Sequence, residues 1–143
     1  MTKITPPPIY DPVVDEEDKA NLSWILFFNG MYQGDAGTTW TPTFVSLGST
    51  GTPTFTGEYF RLSARLIFFR VVVTPATDTT STAGTTYIDN FPLTIANDGV
   101  CHAVSANVGS LAGMVVKTGN RIYVPGWTAV TVPVTITGTI EAS

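Results

Sequence analysis

The chain holds one cysteine, Cys101, and one histidine, His102. A lone thiol excludes an intrachain disulfide and a zinc–thiolate cluster, which leaves an interchain bond or a thiol packed as a small apolar side chain. Cys101 and His102 are sequence neighbours, and neighbours on a strand point to opposite faces. That geometry suits neither a nucleophile–base dyad nor a metal pair. No GxSxG, phosphate-loop or HExxH element occurs, so no catalytic residue, metal ligand or cofactor is assigned and the chain is not expected to be an enzyme. Glu58, Asp78, Asp89 and Asp98 fall at strand ends or in loops, where isolated acids serve as solvent groups or backbone acceptors. Nothing in their spacing demands the paired carboxylates of glycoside hydrolysis. Asp89, Asn90, Asn97 and Asp98 lack the spacing of a calcium loop.

Charge is also scarce. Only 13% of residues are charged, the net charge is -4, and five of the eleven acids lie between Asp11 and Asp18. The balance elsewhere is nearly even, so no broad basic surface for a nucleic acid backbone is expected. Long apolar runs are missing as well. The longest, Trp24 to Phe28 and Leu66 to Phe69, fall far short of a membrane-spanning segment, and no membrane insertion is expected. Met1 to Tyr10 carries three consecutive prolines in place of an apolar secretory core, so the product is expected to stay soluble or join an assembly in the cytosol.

What the sequence has instead is threonine, glycine and short β-branched runs, which suit strands and turns. The central stretch Glu58 to Thr74 reads as two strand segments, Tyr59 to Leu62 and Leu66 to Thr74. Between Leu66 and Val73 only Arg70 interrupts the apolar residues. A strand with one wet face alternates, so both faces are expected to be covered, one by a partner subunit. Arg70 would then pair with a carboxylate or with a neighbouring subunit's carbonyl. Further strands are expected over residues 40–47, 85–88, 100–106, 111–117, 121–124 and 128–140, with a short pairing segment at 54–56. Thr118-Gly119-Asn120 is a hairpin connection and Asn97-Asp98-Gly99 a turn. Residues 75–84 read as a polar loop. Pro42 and Pro133 place their strands at an edge or beside a bulge. The fold class is all-β: an antiparallel β-sandwich, jelly-roll-like, with an open barrel sharing the same local signature.

Ahead of the β region, residues 1–35 are expected to form an extended arm and one short amphipathic helix, and residues 36–143 a head domain. Pro6, Pro7 and Pro8 favour polyproline geometry, while Ile4, Ile9, Tyr10, Val13 and Val14 are too apolar for a pure spacer. The arm reads as a peptide laid on another surface or as a disordered tail. Over residues 15–33, Asp15 can cap a helix, and Glu16, Glu17 and Asp18 suit its first turn. Trp24, Phe27, Phe28 and Met31 then form an apolar stripe. The stripe packs either across its own β domain or against equivalent helices around an assembly axis. Exposed aromatics near loops are candidate sugar contacts; Tyr87, Tyr123 and above all Trp127 are the candidates, against the commoner role of such rings as core or interface anchors.

The order of features carries a resemblance. Trp24-Ile25-Leu26-Phe27-Phe28-Asn29 precedes Trp40-Thr41-Pro42-Thr43, a Gly/Thr loop and Gly57-Glu58-Tyr59. Asn90-Phe91-Pro92 and Thr137-Gly138-Thr139-Ile140 follow. Over about residues 20–143 this resembles small structural proteins of tailed bacteriophages and prophages, the fibre or appendage proteins with a β-sandwich head. The resemblance implies a virion component, a homotrimer, bound to other virion proteins through its N-terminal part and displaying the β domain. It would place particle attachment on Ile4, Pro7, Ile9, Tyr10 and Val13. The apolar stripe and the central strand, through Trp24, Phe27, Phe28, Met31, Leu66, Phe68 and Arg70, would form the oligomer interface. A host-surface glycan is the candidate outward ligand. The chain departs from the pattern at Ser63-Ala64, where similar proteins often carry glycine.

Overall fold

In the computed structural model the described residues are 37–106 and 109–143. The arm and helix expected over residues 1–35 lie outside them. The described residues are all-β, with no helix among them and every strand pairing antiparallel. In chain order the strands are β1 (Thr38–Trp40), β2 (Phe44–Val45), β3 (Gly48–Thr50), β4 (Thr54–Arg61), β5 (Leu66–Thr74) and β6 (Asp78–Ser81). They continue with β7 (Tyr87–Ile88), β8 (Gly99–Ser105), β9 (Gly109–Val116), β10 (Arg121–Tyr123), β11 (Trp127–Val130) and β12 (Val134–Glu141). Nine of them form one sheet in the order β1-β4-β5-β12-β8-β9-β10-β7-β2, and β11-β6-β3 form a second.

The large sheet must curl. Its two edge strands, β1 and β2, are consecutive in sequence and joined only by Thr41, Pro42 and Thr43. Four Cα–Cα steps reach at most about 14 Å, whereas the edges of a flat nine-stranded sheet would stand roughly 38 Å apart. The curl brings Phe44 of β2 against Phe55 of β4, with ring centroids 4.8 Å apart. Residues 40–47, expected from sequence to form a single strand, are divided between two. The stretch divides because Pro42 has no N–H to give a ladder, and Asn90 secures the crossing. Its side-chain oxygen accepts from the Thr43 amide at 2.7 Å, and its Nδ2 donates to the Thr41 carbonyl at 2.8 Å.

β5 has one face buried within the fold and the other, the face expected to meet a partner subunit, on the outer wall. Ile67, Phe69, Val71 and Val73 are fully buried inside the curl, while Leu66 and Arg70 are exposed and Phe68 and Val72 half-buried on the outer wall. Burial alternates along the strand although aromatic and β-branched residues occupy both faces, because the described residues seal only the inner one. Arg70 is therefore not buried. It pairs with Glu58, directly opposite on β4, across 2.5 Å at the surface.

The expected strand over 128–140 is likewise two strands in two sheets. Thr131 takes a left-handed φ of 65°, Val132 donates back to the Val130 carbonyl, and Pro133 cannot join the ladder. Residues 75–84, read as a loop, contain β6. Its Thr79 and Ser81 are buried, and the Ser81 hydroxyl donates to the Pro125 carbonyl and accepts from the Trp127 amide. Trp127, a candidate sugar contact from sequence, takes the commoner role of a core anchor: it is only 5% exposed and its Nε1 donates to Thr79 Oγ1. Its partner strand is too polar to be recognised from apolar content, so the burial was not visible in sequence. At Ser63-Ala64 the turn is built without glycine. The Ser63 hydroxyl oxygen accepts from the Leu66 amide, and β4 and β5 pair in register through Phe60–Phe68 and Arg61–Ile67.

Inside the curl one cross-strand row decides how closely the walls approach. Tyr59, Phe69, Gly138, Cys101 and Gly113 are successive partners across β4, β5, β12, β8 and β9. A Cβ on Gly138 would stand 2.7 Å from the Phe69 ring, so the phenyl lies over bare backbone. Phe91, from the β7–β8 connection, packs edge-on against Trp40 and Phe69 and completes the cluster with Tyr59.

Candidate functional site

The outer wall carries a band of apolar and aromatic side chains set by strand register. Val45 pairs with Tyr87, Tyr87 with Tyr123, Tyr123 with Met114 and Met114 with Val100. One step beyond the Gly138–Cys101 pair the row continues through Thr139, whose partner is Phe68, and Phe68 pairs with Phe60. Val100 is 57% exposed and Met114 53%; Leu66, two residues from Phe68 on the same face of β5, is exposed at one flank, Leu62 is exposed in the β4–β5 turn, and Val104 is exposed beyond the polar row of His102. Flanking rows are polar, with the Glu58–Arg70 pair, Thr137 and His102 in one register. Apolar surface rimmed by polar groups is the kind of surface that interaction sites use.

At the β7–β10 end of this band three side chains meet. The Tyr87 and Tyr123 rings lie 5.1 Å apart. The Arg121 guanidinium sits 4.5 Å above the Tyr87 ring and donates through Nη1 to the Tyr123 hydroxyl at 3.3 Å. All three are half-buried. The bond to Tyr123 and the field of Tyr87 hold the guanidinium pKa above its ordinary value, so Arg121 is a permanent cation. Tyr87 and Tyr123, named from sequence as sugar contacts, are thus brought together, and Trp127 is not with them. Arg121 was missed because nothing in Asn120-Arg121-Ile122 distinguishes it; only the β7–β10 register places it among the rings.

A cleft of about 560 Å³ opens beside β1, lined by Trp40, Phe55, Glu58, Arg70 and Val72 among others. The Trp40 indole lies over Gly57, where a Cβ would stand 2.7 Å from the ring. Its Nε1 has no hydrogen-bond partner among the described residues.

Of the proposed interface residues, Leu66, Phe68 and Arg70 share the outer wall; Trp24, Phe27, Phe28 and Met31 lie outside the described residues. So do the attachment residues Ile4, Pro7, Ile9, Tyr10 and Val13. Glu58 pairs with Arg70, while Asp78 and Asp98 act as local backbone acceptors. Asp78 takes the Thr50 amide and Asp98 the Lys117 amide, each at 2.7 Å. Cys101 is buried and His102 exposed on the opposite face.

Burial pushes the Cys101 thiol from 9.0 up to about 11, the bond to the Gly113 backbone offsetting only part of that. Because the folded value is raised, the folded state holds its proton longer, and stability is lost as pH rises from about 9 to about 11. Between pH 8 and 10.5 the wild type should lose roughly 1–2 kcal/mol more than Cys101→Ala, measured as urea midpoints at each pH. Parallel profiles for the two proteins would contradict the assignment.

Comparison with known protein families, curated proteins and solved structures finds no match to this chain.

Proposed function

We propose that the chain is a structural protein of a tailed-bacteriophage virion: a trimeric fibre, decoration or tail-appendage component, without enzymatic activity. It docks to other virion proteins through residues 1–35 and displays its β domain outward. In this reading the curled sheet's opposed halves are the layers of a jelly-roll-like sandwich. The observation that carries the proposal is the outer apolar band. A chain with so few charges leaves Val100, Met114 and Leu62 more than half exposed, and a closed symmetric assembly is the economical way to cover a repeated patch. The loose likeness in Trp40-Thr41-Pro42-Thr43 and Gly57-Glu58-Tyr59 points to the same class.

The band gives a direct test. Val100→Lys with Met114→Lys changes only exposed positions, so folding stability should fall by no more than about 1 kcal/mol, the repulsion of two lysines that face each other across β8 and β9. Subunit association, read by light scattering across a dilution series, should weaken by at least about tenfold. Full association with both lysines in place would remove the band from the interface.

A second reading, recognition of a host-surface carbohydrate, is favoured by the Tyr87–Tyr123–Arg121 cluster, where aromatic faces lie beside hydrogen-bonding groups. Display in several copies would multiply weak contacts of this kind.

A further inference from the structure

We propose that Arg121, held between Tyr87 and Tyr123, recognises an anionic group carried on a sugar, a carboxylate or a phosphate of a surface polysaccharide. The inference rests on the recognition reading and adds the chemical class of ligand. Three observations carry it. The guanidinium is fixed on two sides, by the Tyr87 ring at 4.5 Å and by the Tyr123 hydroxyl at 3.3 Å, so little freedom is lost when its remaining donors engage a ligand. It forms no ion pair among the described residues, whereas Arg65 and Arg70 pair with Glu141 and Glu58. The two tyrosines are cross-strand partners on the outer wall, locked there by the burial of Ile88 and Ile122 on the other face.

The surroundings narrow the ligand. A fork of guanidinium donors matches a carboxylate or phosphate in two-point geometry, and adjacent tyrosine edges and hydroxyls suit a sugar ring. A nucleic acid is disfavoured, because one cation answers one anion and the chain's net charge of -4 repels a polyanion. Asp89 acts on Arg121 through space without an ion pair, so it weakens an incoming anion and makes the site selective for ligands that also use the rings.

The test is isothermal titration of the full chain with three probes: an oligogalacturonate, its neutral methyl ester, and a glycerol-phosphate oligomer. One anionic probe should bind about tenfold more tightly than the neutral ester, and which one does so assigns carboxylate or phosphate. Arg121→Gln should abolish that preference, Arg121→Lys should restore only part of it, and Asp89→Asn should tighten the anionic probe. Thermal unfolding of each variant separates lost binding from lost fold. Equal affinity for the neutral and both anionic probes, or an unchanged preference in Arg121→Gln, overturns the anion site and leaves carbohydrate recognition standing. Absence of binding by all three probes at millimolar concentration overturns the recognition reading and the site with it. Neither result touches the assembly reading, which is tested by subunit association.

Discussion

Gly113→Ala should destabilise the domain by at least about 3 kcal/mol, a large fraction of what a domain of this size holds in reserve. Gly113 ends the small-residue row on the inner wall. A Cβ there would collide with the Tyr123 carbonyl and stand 2.8 Å from Cys101 Sγ and 3.0 Å from Pro125 Cδ. Two of those three neighbours are backbone or a proline ring, so relief requires β9 and the chain after β10 to move apart. Overpacking a core costs about 1–3 kcal/mol and occasionally more, side-chain and backbone shifts included; with backbone and a proline ring as obstacles, this site falls at or above the top of that range. Ala112→Ser, the neighbouring position on the exposed face, should leave the urea midpoint almost unchanged. A Gly113→Ala protein as stable as wild type would mean that the walls do not approach as described.

The second large effect is expected at Asn120. The residue sits in the β9–β10 turn with a left-handed φ of 56°, which asparagine tolerates better than most. Its side chain binds the β7–β8 connection three times. Oδ1 accepts from the Ile95 amide at 2.7 Å, and Nδ2 donates to the Phe91 and Leu93 carbonyls at 3.2 and 3.0 Å. These bonds hold Phe91 in the aromatic cluster with Trp40 and Phe69. Asn120→Ala removes all three and leaves partly buried backbone groups unpaired, at a cost of roughly 3 kcal/mol. Asn120→Asp keeps the acceptor and loses both donors, so it should fall between. Denaturation midpoints give the ranking, and hydrogen exchange at the Ile95 amide gives the cause. Unchanged protection of that amide in Asn120→Ala would contradict the role assigned to the side chain.

Much of the fold was legible because local chemistry and final structure agree. The β-branched runs of β5, β8 and β12, the Thr118-Gly119-Asn120 connection and the alternation from Val134 onward all read directly. What failed to read has particular causes. Threonine and serine in β6 are strand residues without apolar content, and only the burial of Thr79 and Ser81 beneath Trp127 reveals them. Proline at 42 and 133 announced an interruption, but a sequence does not say that the two sides of it belong to opposite edges or to separate sheets. On β5 residue type reports what a face can bury and not what covers it: the fold seals the inner face, and the outer face holds Phe68 and Val72 without a layer of described residues over them. The Tyr87–Tyr123–Arg121 cluster depends on pairing two strands more than thirty residues apart, which periodicity does not encode.

The proposed assembly requires other copies of the same chain to cover the outer apolar band. Multi-angle light scattering of the full chain at micromolar concentration tests this most directly. A mass of three chains, reduced in Val100→Lys/Met114→Lys without loss of fold, is the predicted result. A single-chain mass for the wild type across that range, with the band still exposed to solvent, would contradict it.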